Sequence, residues 1–263
     1  LEITKVYSVA GLLTEKDPLI RQRPFRSPHH TSSSAALAGG GRIPGPGEVT
    51  LAHRGVLFLD EMPEFARGSL EVLRQPLEDK QIQLSRASGT YVFPAGFILV
   101  AAMNPCPCGY YPDMNKCRCT PGEVSHYLHK LSQPLLERID LCADVPPVNF
   151  SQISGEKSGE SSALIRKRVE KARRIQQKRY QNEKICFNGE LSGKQIRKYC
   201  VLTENAFQVA KNAFELMELS ARSYHRILKV SRTIADMEGE ELIHTRHVAE
   251  ALTYKAFDKK YRS

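Results

Sequence analysis

Continuous apolar runs of strand length alternate with Gly- and Pro-containing loops over residues 1–150. "GVLFLD" and "GFILVAAMN" lack polar alternation, which is typical of strands in a parallel sheet covered on both faces. Between them, "ARGSLEVLRQPLEDK" predicts a helix, and residues 81–94 predict a hairpin that turns at Ser88 and Gly89. "IDLCADVPPV" predicts one more strand. The pattern therefore predicts an α/β core.

Helical periodicity dominates the rest of the chain. A polar Ser/Gly segment, residues 151–160, is expected to link the core to a helical domain of residues 161–263. Thr203, Ser220 and Thr245 are predicted N-caps, and Gly239 is a predicted helix end. The apolar positions expected to face the helical core are Ile165, Val169, Ala172 and Ile175 in the first helix, then Phe207, Ala210, Phe214 and Met217, then Tyr224, Ile227, Leu228 and Ile234.

Composition indicates the class of protein, and the charged residues are unevenly distributed along the chain. Of 263 residues, 41% are hydrophobic and 25% charged, which is typical of a globular protein. Neither a signal peptide nor a membrane-spanning run is found in the sequence, so a cytoplasmic protein without a membrane partner is expected. Residues 161–263 carry 22 basic and 12 acidic side chains, which leaves 16 and 17 for residues 1–160. The excess positive charge in the helical part favours a polyanionic partner.

Polar side chains end the predicted strands. Asp60 and Glu61 follow the first apolar run, and Asn104 follows the second. Ligands of open α/β sheets bind at the carboxyl ends of strands, where Asp60 can hold Mg²⁺ and Glu61 can activate water. Arg138 precedes the last predicted strand and is a candidate for stabilising phosphoryl-transfer charge. The alternatives are a solvated acidic turn, a turn amide before Pro105 and a surface arginine.

Four of the seven cysteines form two C-x-C pairs. Eight residues separate the pairs, and four thiolates complete a tetrahedral Zn²⁺ shell without an open position. The spacing favours a structural zinc site over a catalytic one, and the alternatives are reduced thiols in a loop or two disulfides. The predicted ligands are Cys106, Cys108, Cys117 and Cys119.

Several long motifs resemble the Mg-chelatase-like AAA+ ATPases, and within them the ComM/YifB group. They include "RPFRSPHHTSSSAALAGGG", "GVLFLDEMPEF", "AAMNPCPCGYY", "PLLERIDL" and "SARSYHRILKVSRTIADMEG". The resemblance implies an AAA+ core, incomplete at its N-terminus, followed by an all-α helical lid. It implies Walker B roles for Asp60 and Glu61, a sensor 1 role for Asn104 and an arginine-finger role for Arg138. Arg222, or else Arg226, matches sensor 2 in the lid.

The resemblance further implies ATP and Mg²⁺ as cofactors and a homo-hexameric motor on DNA that promotes branch migration during natural transformation. DNA contacts are expected in the Gly-rich loop of residues 39–48, in the hairpin of residues 81–94, which matches the pre-sensor-1 hairpin, and on the basic helix of residues 163–181. Because phosphate tracks and solvated lid faces have similar charge patterns, a solvated face remains the alternative for that helix. The candidate residues for contacting DNA are Arg42, Arg86, Arg173, Arg174, Lys178 and Arg179.

One motif of the family is missing from these 263 residues. No G-x-x-x-x-G-K-[ST] occurs in the sequence, and this loop normally cradles the phosphates. In the family it lies upstream of the segment that resembles residues 1–13, so the chain is expected to be the C-terminal part of a longer protein and inactive alone. Two other functions remain open: an ATPase that drives metal insertion, as Mg-chelatase subunits do, and a zinc-stapled DNA-binding or assembly module without turnover.

Overall fold

The computed structural model describes residues 1–14, 18–41, 44–87, 89–146, 148 and 159–255. Two compact units divide the chain, Leu1–Ile139 and Asp140–Lys260. Among the described residues, none of the helices is both long and apolar enough to cross a membrane. Most of the predicted linker, residues 151–158, lies outside the described part, as do Arg42 and the hairpin residue Ser88.

The first unit is an α/β core. Its helices are α1 (Glu2–Val9), α2 (Ser34–Ala38), α3 (Glu48–Leu51), α4 (Arg67–Glu71), α5 (Arg74–Asp79), α6 (Pro121–Leu128) and α7 (Gln133–Leu136). Its strands are β1 (Phe25–Arg26), β2 (Gly39–Gly40), β3 (Gly45–Pro46), β4 (Val56–Leu59), β5 (Gln81–Arg86), β6 (Gly89–Pro94) and β7 (Ile98–Ala101). The segment predicted as one helix between β4 and β5 forms the two short helices α4 and α5.

A three-stranded parallel sheet carries the core, in the order β1-β4-β7. Val56 pairs with Ile98 and Leu59 with Ala101, so both predicted apolar strands are confirmed and start in register. Gly55 allows the chain leading into β1 to lie close to the start of β4, because a Cβ at this position would be 2.0 Å from the carbonyl oxygen of Pro24. The predicted hairpin is also confirmed, with β5 and β6 paired antiparallel from the pair Gln81–Pro94 to the pair Arg86–Gly89.

The two faces of this sheet differ in burial. Leu57 and Leu59 point into the main core and are fully buried. On the opposite face, Phe25, Ile98 and Val100 are 64%, 64% and 43% exposed. The expectation of a sheet covered on both faces is therefore wrong for the described part of the chain, where only one face is packed.

The strand predicted from Ile139 onward is also wrong for the described residues. Residues 140–146 contain no strand. The backbone N–H of Cys142 instead donates to the carbonyl of Tyr254, 3.0 Å away, within the second unit. This N–H thus bonds to the end of a helix rather than to a strand.

The second unit is helical. It contains α8 (Ser162–Arg179), α9 (Gly193–Tyr199), α10 (Glu204–Leu216), α11 (Ala221–Glu238) and α12 (Thr245–Thr253). Thr203 and Ser220 cap α10 and α11 through their side chains, and Gly239 ends α11 in the left-handed conformation, as predicted. His244, not Thr245, is the N-cap of α12.

In two helices only part of the predicted apolar stripe faces the core: the predicted Ala172 and Ala210 are buried. Ala172 of α8 is buried, but Ile165 and Val169 are 43% and 46% exposed. In α10 the small residues Ala206 and Ala210 face the core, while Phe207 and Phe214 are 47% and 40% exposed. The prediction from hydrophobicity is therefore confirmed for the small residue of each stripe and wrong for the larger side chains Ile165, Val169, Phe207 and Phe214.

Candidate active site and metal centre

Asp60 and Glu61 stand directly after β4, at the carboxyl end of the parallel sheet. The Asp60 carboxylate turns back and accepts the backbone N–H of Glu61 at 3.0 Å. Glu61 has a φ of 49°, a left-handed conformation that is uncommon for residues other than glycine. Its side chain is 56% exposed. The chain thus bends sharply at the pair and leaves both carboxylates accessible to a ligand.

Asn104 lies at the same edge of the sheet. Pairing of β4 and β7 continues past the strands through Ala102, whose N–H donates to Leu59 at 2.9 Å and whose carbonyl accepts from Met62 at 3.0 Å. Asn104 is two residues further along and exposed. The two carboxylates and the amide are therefore on one edge, as parallel strands in register require.

A histidine whose role the sequence pattern does not indicate also lies at this edge. His30 Nδ1 lies 3.4 Å from a carboxylate oxygen of Glu61. Its ring also packs edge-on against Phe65, with 6.5 Å between the centroids. His30 follows β1, the strand that neighbours β4 in the sheet. The sequence pattern does not indicate this, because β1 has only two residues and no apolar run marks it.

Arg138 is held inside its own unit. Its guanidinium Nη2 lies 2.5 Å from a carboxylate oxygen of Glu78, at the end of α5, and its Nη1 donates to the carbonyl of Pro134. Only 11% of the side chain is exposed. The structure therefore keeps Arg138 on Glu78 rather than extended into solvent.

The two sensor 2 candidates lie in the second unit, near the start of α11. Arg226 forms an ion pair with Asp140, and its side chain is 18% exposed. Arg222 is half-buried.

Two elements predicted to contact DNA come together in the first unit. Arg86, near the hairpin turn, is exposed. Its guanidinium lies against Gly40 of the Gly-rich segment, where an added Cβ would be 3.3 Å from the Nη2 atom. The hairpin and the Gly-rich β2–β3 pair thus form one surface, although Arg42 lies outside the described residues.

The four basic candidates on α8 have unlike surroundings. Arg174 and Lys178 are exposed. Arg173 is half-buried, with its guanidinium 5.3 Å from the centroid of the Phe187 ring. Arg179 donates to both carboxylate oxygens of Asp236, at 2.8 and 2.5 Å. Two of the four are therefore open to a polyanion, and Arg179 is committed to a partner within the helical unit.

Asp236 is the centre of a buried polar network. It is fully buried and also accepts from Arg232 at 3.1 Å and from the Asn188 amide at 2.8 Å. Arg232 is 1% exposed and donates further to the carbonyls of Glu240 and Glu241. Every charge in this network has a partner of opposite sign or a carbonyl, which is what makes buried charges tolerable.

The four predicted ligand cysteines converge in one loop. Their sulfur atoms all lie within 4.8 Å of one another, and no other group of three or more potential ligands was found among the described residues. The Sγ of Cys106 is 3.4 Å from that of Cys108 and 3.8 Å from that of Cys117, and all four thiols are free. Tetrahedral zinc with Zn–S bonds of about 2.3 Å needs sulfurs about 3.8 Å apart. The cluster therefore has the dimensions of a Cys₄ zinc site.

The loop also favours a thiolate. Backbone N–H groups of Tyr110 and Arg118 donate to Cys108, and these hydrogen bonds lower the pKa of its thiol to about 6. Burial and the neighbouring thiols instead raise the pKa of Cys117, and they raise that of Cys119 to about 12. Metal ligands must be deprotonated, so hydrogen bonds from the backbone favour a thiolate at Cys108 alone among these three sulfurs.

Two family models match the chain, one for each part. The model described as magnesium chelatase, subunit ChlI, matches residues 1–153. The model described as magnesium chelatase, subunit ChlI C-terminal, matches residues 159–255.

Individual relatives match over most of this chain. The competence protein ComM of Haemophilus influenzae is 49% identical over 238 residues, 90% of this chain and 46% of the relative. The uncharacterised protein YifB of Salmonella typhimurium is 46% identical over 242 residues, 91% of this chain and 46% of its own length. An uncharacterised protein of Mycobacterium bovis is 41% identical over 256 residues, 97% of this chain and 50% of its own. The chain thus spans about half the length of these relatives.

Proposed function

Because the chain belongs to the magnesium chelatase subunit ChlI family, we propose that it forms part of an AAA+ motor that uses ATP and Mg²⁺ to act on DNA. The observation that carries the proposal is the shared edge of Asp60, Glu61 and Asn104. Carboxylate, general base and amide at the end of adjacent parallel strands suit water attack on a nucleotide's terminal phosphate.

Each group at the edge has a defined task in this proposal. Asp60 holds Mg²⁺ beside the phosphates, Glu61 takes the proton of the attacking water, and Asn104 orients that water or the terminal phosphate. His30, 3.4 Å from Glu61, orients its carboxylate. The phosphates also need a Walker A loop, which these 263 residues do not contain, so the tests use the full-length protein.

Glu61→Gln in the full-length protein tests the assignment. The variant should bind ATP normally and lose hydrolysis, because the amide still accepts hydrogen bonds but cannot take the proton. Glu71→Gln is the matched control, a glutamate paired with Arg74 in the same unit, and should hydrolyse ATP at the wild-type rate. Equal ATP turnover in Glu61→Gln and wild type would overturn the role of Glu61 as the general base. A full-length wild type that releases no phosphate from ATP would favour an assembly module without turnover.

Arg138 serves a neighbouring subunit in this proposal. An arginine finger reaches the nucleotide of the next protomer in a homo-hexameric ring, so Arg138 must leave Glu78 when the ring assembles. Mass measurement of the full-length protein with ATP tests the ring. A monomer at all concentrations would remove the arginine finger from the mechanism.

DNA is the proposed track of the motor, with branch migration during natural transformation as the process. One relative carries the name competence protein, and the surface of Arg86 and the exposed pair Arg174 and Lys178 supply positive charge. Replacing all three with Gln should flatten the log–log salt dependence of DNA binding by about 0.9 per lost phosphate contact. Lys198→Gln, at an exposed lysine paired with Glu183, is the control, and an unchanged slope in the triple variant would exclude these side chains.

One structural Zn²⁺ per chain is the proposed occupant of the cysteine cluster. The sulfur spacing supports it, and free thiols suit the reducing cytosol, where we place the protein. Elemental analysis of gently purified protein should give one zinc per chain, and none after Cys117→Ser with Cys119→Ser. Absence of metal from protein whose four thiols remain reduced would refute the site.

A further inference from the structure

Four basic side chains of α8 form one straight stripe along the helix, called here the basic stripe. Its members follow one another at intervals of four, three and four residues and are all exposed: Lys167, Lys171, Arg174 and Lys178. These intervals place them within about 60° of one another around the helix axis and along about 16 Å of its length. Neighbouring members are about 5–6 Å apart at their Cβ atoms. The helix therefore presents a narrow row of cations.

The opposite side of α8 is anchored within the helical unit. Ala172 and Gln176 are the buried residues of the helix, and both lie on the far side of its axis from the basic stripe. The side chain of Gln176 accepts the backbone N–H of Asn188 at 3.1 Å. Arg179 holds the buried carboxylate of Asp236 from the same side. These contacts fix the orientation of α8, so the basic stripe points away from the core of its unit.

The charge of the basic stripe is not neutralised within the described part of the chain. Arg168, on another side of α8, pairs with Glu160 at 2.6 Å, and Arg173 and Arg179 have partners inside the helical unit. By contrast, none of the four members of the stripe forms an ion pair with a described residue, including Glu170, the one acidic residue of α8. Like charges three and four residues apart on a helix repel, so a polyanion from outside would relieve this repulsion.

We propose that the basic stripe binds one phosphodiester backbone of DNA, with Lys167 and Lys171 acting together with Arg174 and Lys178. Three of the four members are lysines, which act as point charges and lack the planar pair of donors that reads a guanine edge. Binding through the stripe is therefore independent of base sequence. The inference rests on the proposed action on DNA. It adds two lysines that the sequence pattern does not single out, and it assigns Arg179 to the fold instead of to DNA.

Salt titrations of DNA binding by the full-length protein, without ATP, test the inference on a labelled single strand and on the duplex of the same sequence. The stripe variant replaces all four members of the basic stripe with Gln, which leaves the packed side of α8 unchanged. The control variant removes the same charge from the same unit by replacing four other exposed cations with Gln: Lys184, Lys194, Arg197 and Lys211. Circular dichroism should show equal helicity and equal Tm for both variants.

In the stripe variant, the slope of log K against log salt concentration should become shallower by about 3.6 on the duplex and about 2.8 on the single strand. These values correspond to four phosphate contacts at about 0.9 and about 0.7 each. Lys167→Gln with Lys171→Gln should give about half of the change, and the control variant should keep the wild-type slope. Glu170→Gln should raise DNA affinity about twofold at low salt, because it removes an exposed negative charge beside the stripe.

Two results would overturn the inference while leaving the proposed action on DNA intact. A wild-type slope in the stripe variant would show that DNA is bound elsewhere. Equal flattening in the stripe and control variants would show that net charge matters and that its position on α8 does not. A full-length wild type that binds neither the single strand nor the duplex would instead refute the proposed action on DNA, and the stripe with it.

Discussion

Alanine substitution should have different effects at Arg174 and Arg179, which are five residues apart on α8. Arg179→Ala should lower the free energy of unfolding, and Arg174→Ala should reduce the salt dependence of DNA binding. Arg179→Ala removes two hydrogen bonds to Asp236, at 2.8 and 2.5 Å, and one to Asn188 at 3.3 Å. Asp236 is fully buried, so its lost partner cannot be replaced by bulk water. Arg174→Ala removes an exposed side chain from the same helix. Both variants lose one positive charge, so overall charge cannot explain a difference between them.

The size of the Arg179 effect follows from what remains around Asp236. Breaking a buried ion pair costs about 3–5 kcal/mol. Arg232 and Asn188 still donate to the carboxylate, so we expect the low end, about 3 kcal/mol. For a unit of roughly 100 residues, 1 kcal/mol lowers Tm by about 4–8 °C, which gives about 12–24 °C. Arg174→Ala should stay within about 0.5 kcal/mol of wild type.

Urea and thermal unfolding, followed by circular dichroism, measure both variants. The effects on DNA binding should be reversed. Arg174→Ala should reduce the slope of log K against log salt concentration by about 0.9 if that side chain contacts one phosphate. Arg179→Ala should leave the slope unchanged at temperatures where the protein is folded. A free energy of unfolding for Arg179→Ala within about 0.5 kcal/mol of wild type would refute the network as a stabilising element.

Three further predictions concern the core, the candidate active site and the chain alone. Gly55→Ala should destabilise the first unit by about 2 kcal/mol, because its Cβ would lie 2.0 Å from the Pro24 carbonyl oxygen. Gly122→Ala is the control, because no atom lies within 4 Å of the Cβ it adds. Equal urea midpoints for the two variants would contradict the predicted clash. Arg138→Ala in the assembled protein should lower kcat about a thousandfold, and a near-wild-type rate would exclude it as the arginine finger. The 263-residue chain alone should release no phosphate from ATP, because no Walker A loop holds the nucleotide; turnover abolished by Glu61→Gln would contradict this.

The sequence predicted the position of the carboxylate edge because two apolar runs each end in polar residues. Parallel strands in register bring such ends together, and β4 and β7 are in register from Val56 to Ala101. The cysteine cluster was predictable from spacing, since ligand chemistry is encoded locally. Both features depend on residues close together in the sequence or on one strand pairing, which local patterns can specify.

Contacts between distant residues were not predictable in the same way. Nothing in the run of basic residues on α8 distinguishes Arg179, whose partner Asp236 is 57 positions away, from the exposed Arg174. His30 and Arg138 were likewise visible as residue types, but their partners Glu61 and Glu78 depend on how separate elements pack. The exposed side chains of Phe207 and Phe214 on α10 show the same limit, because their burial depends on which neighbouring helix packs against them and not on their own hydrophobicity.

The exposed apolar face of the parallel sheet should affect how much of this chain accumulates inside a cell. Phe25 on β1 and Ile98 and Val100 on β7 place apolar side chains in water on this face, and β7 is the last strand of the sheet among the residues that the structure describes. Chaperones and degradative proteases act on surfaces of this kind, and chains that expose them also associate with one another. The amount of the 263-residue chain that accumulates therefore depends on whether another segment covers this face, and strengthening the buried core would not substitute for that cover.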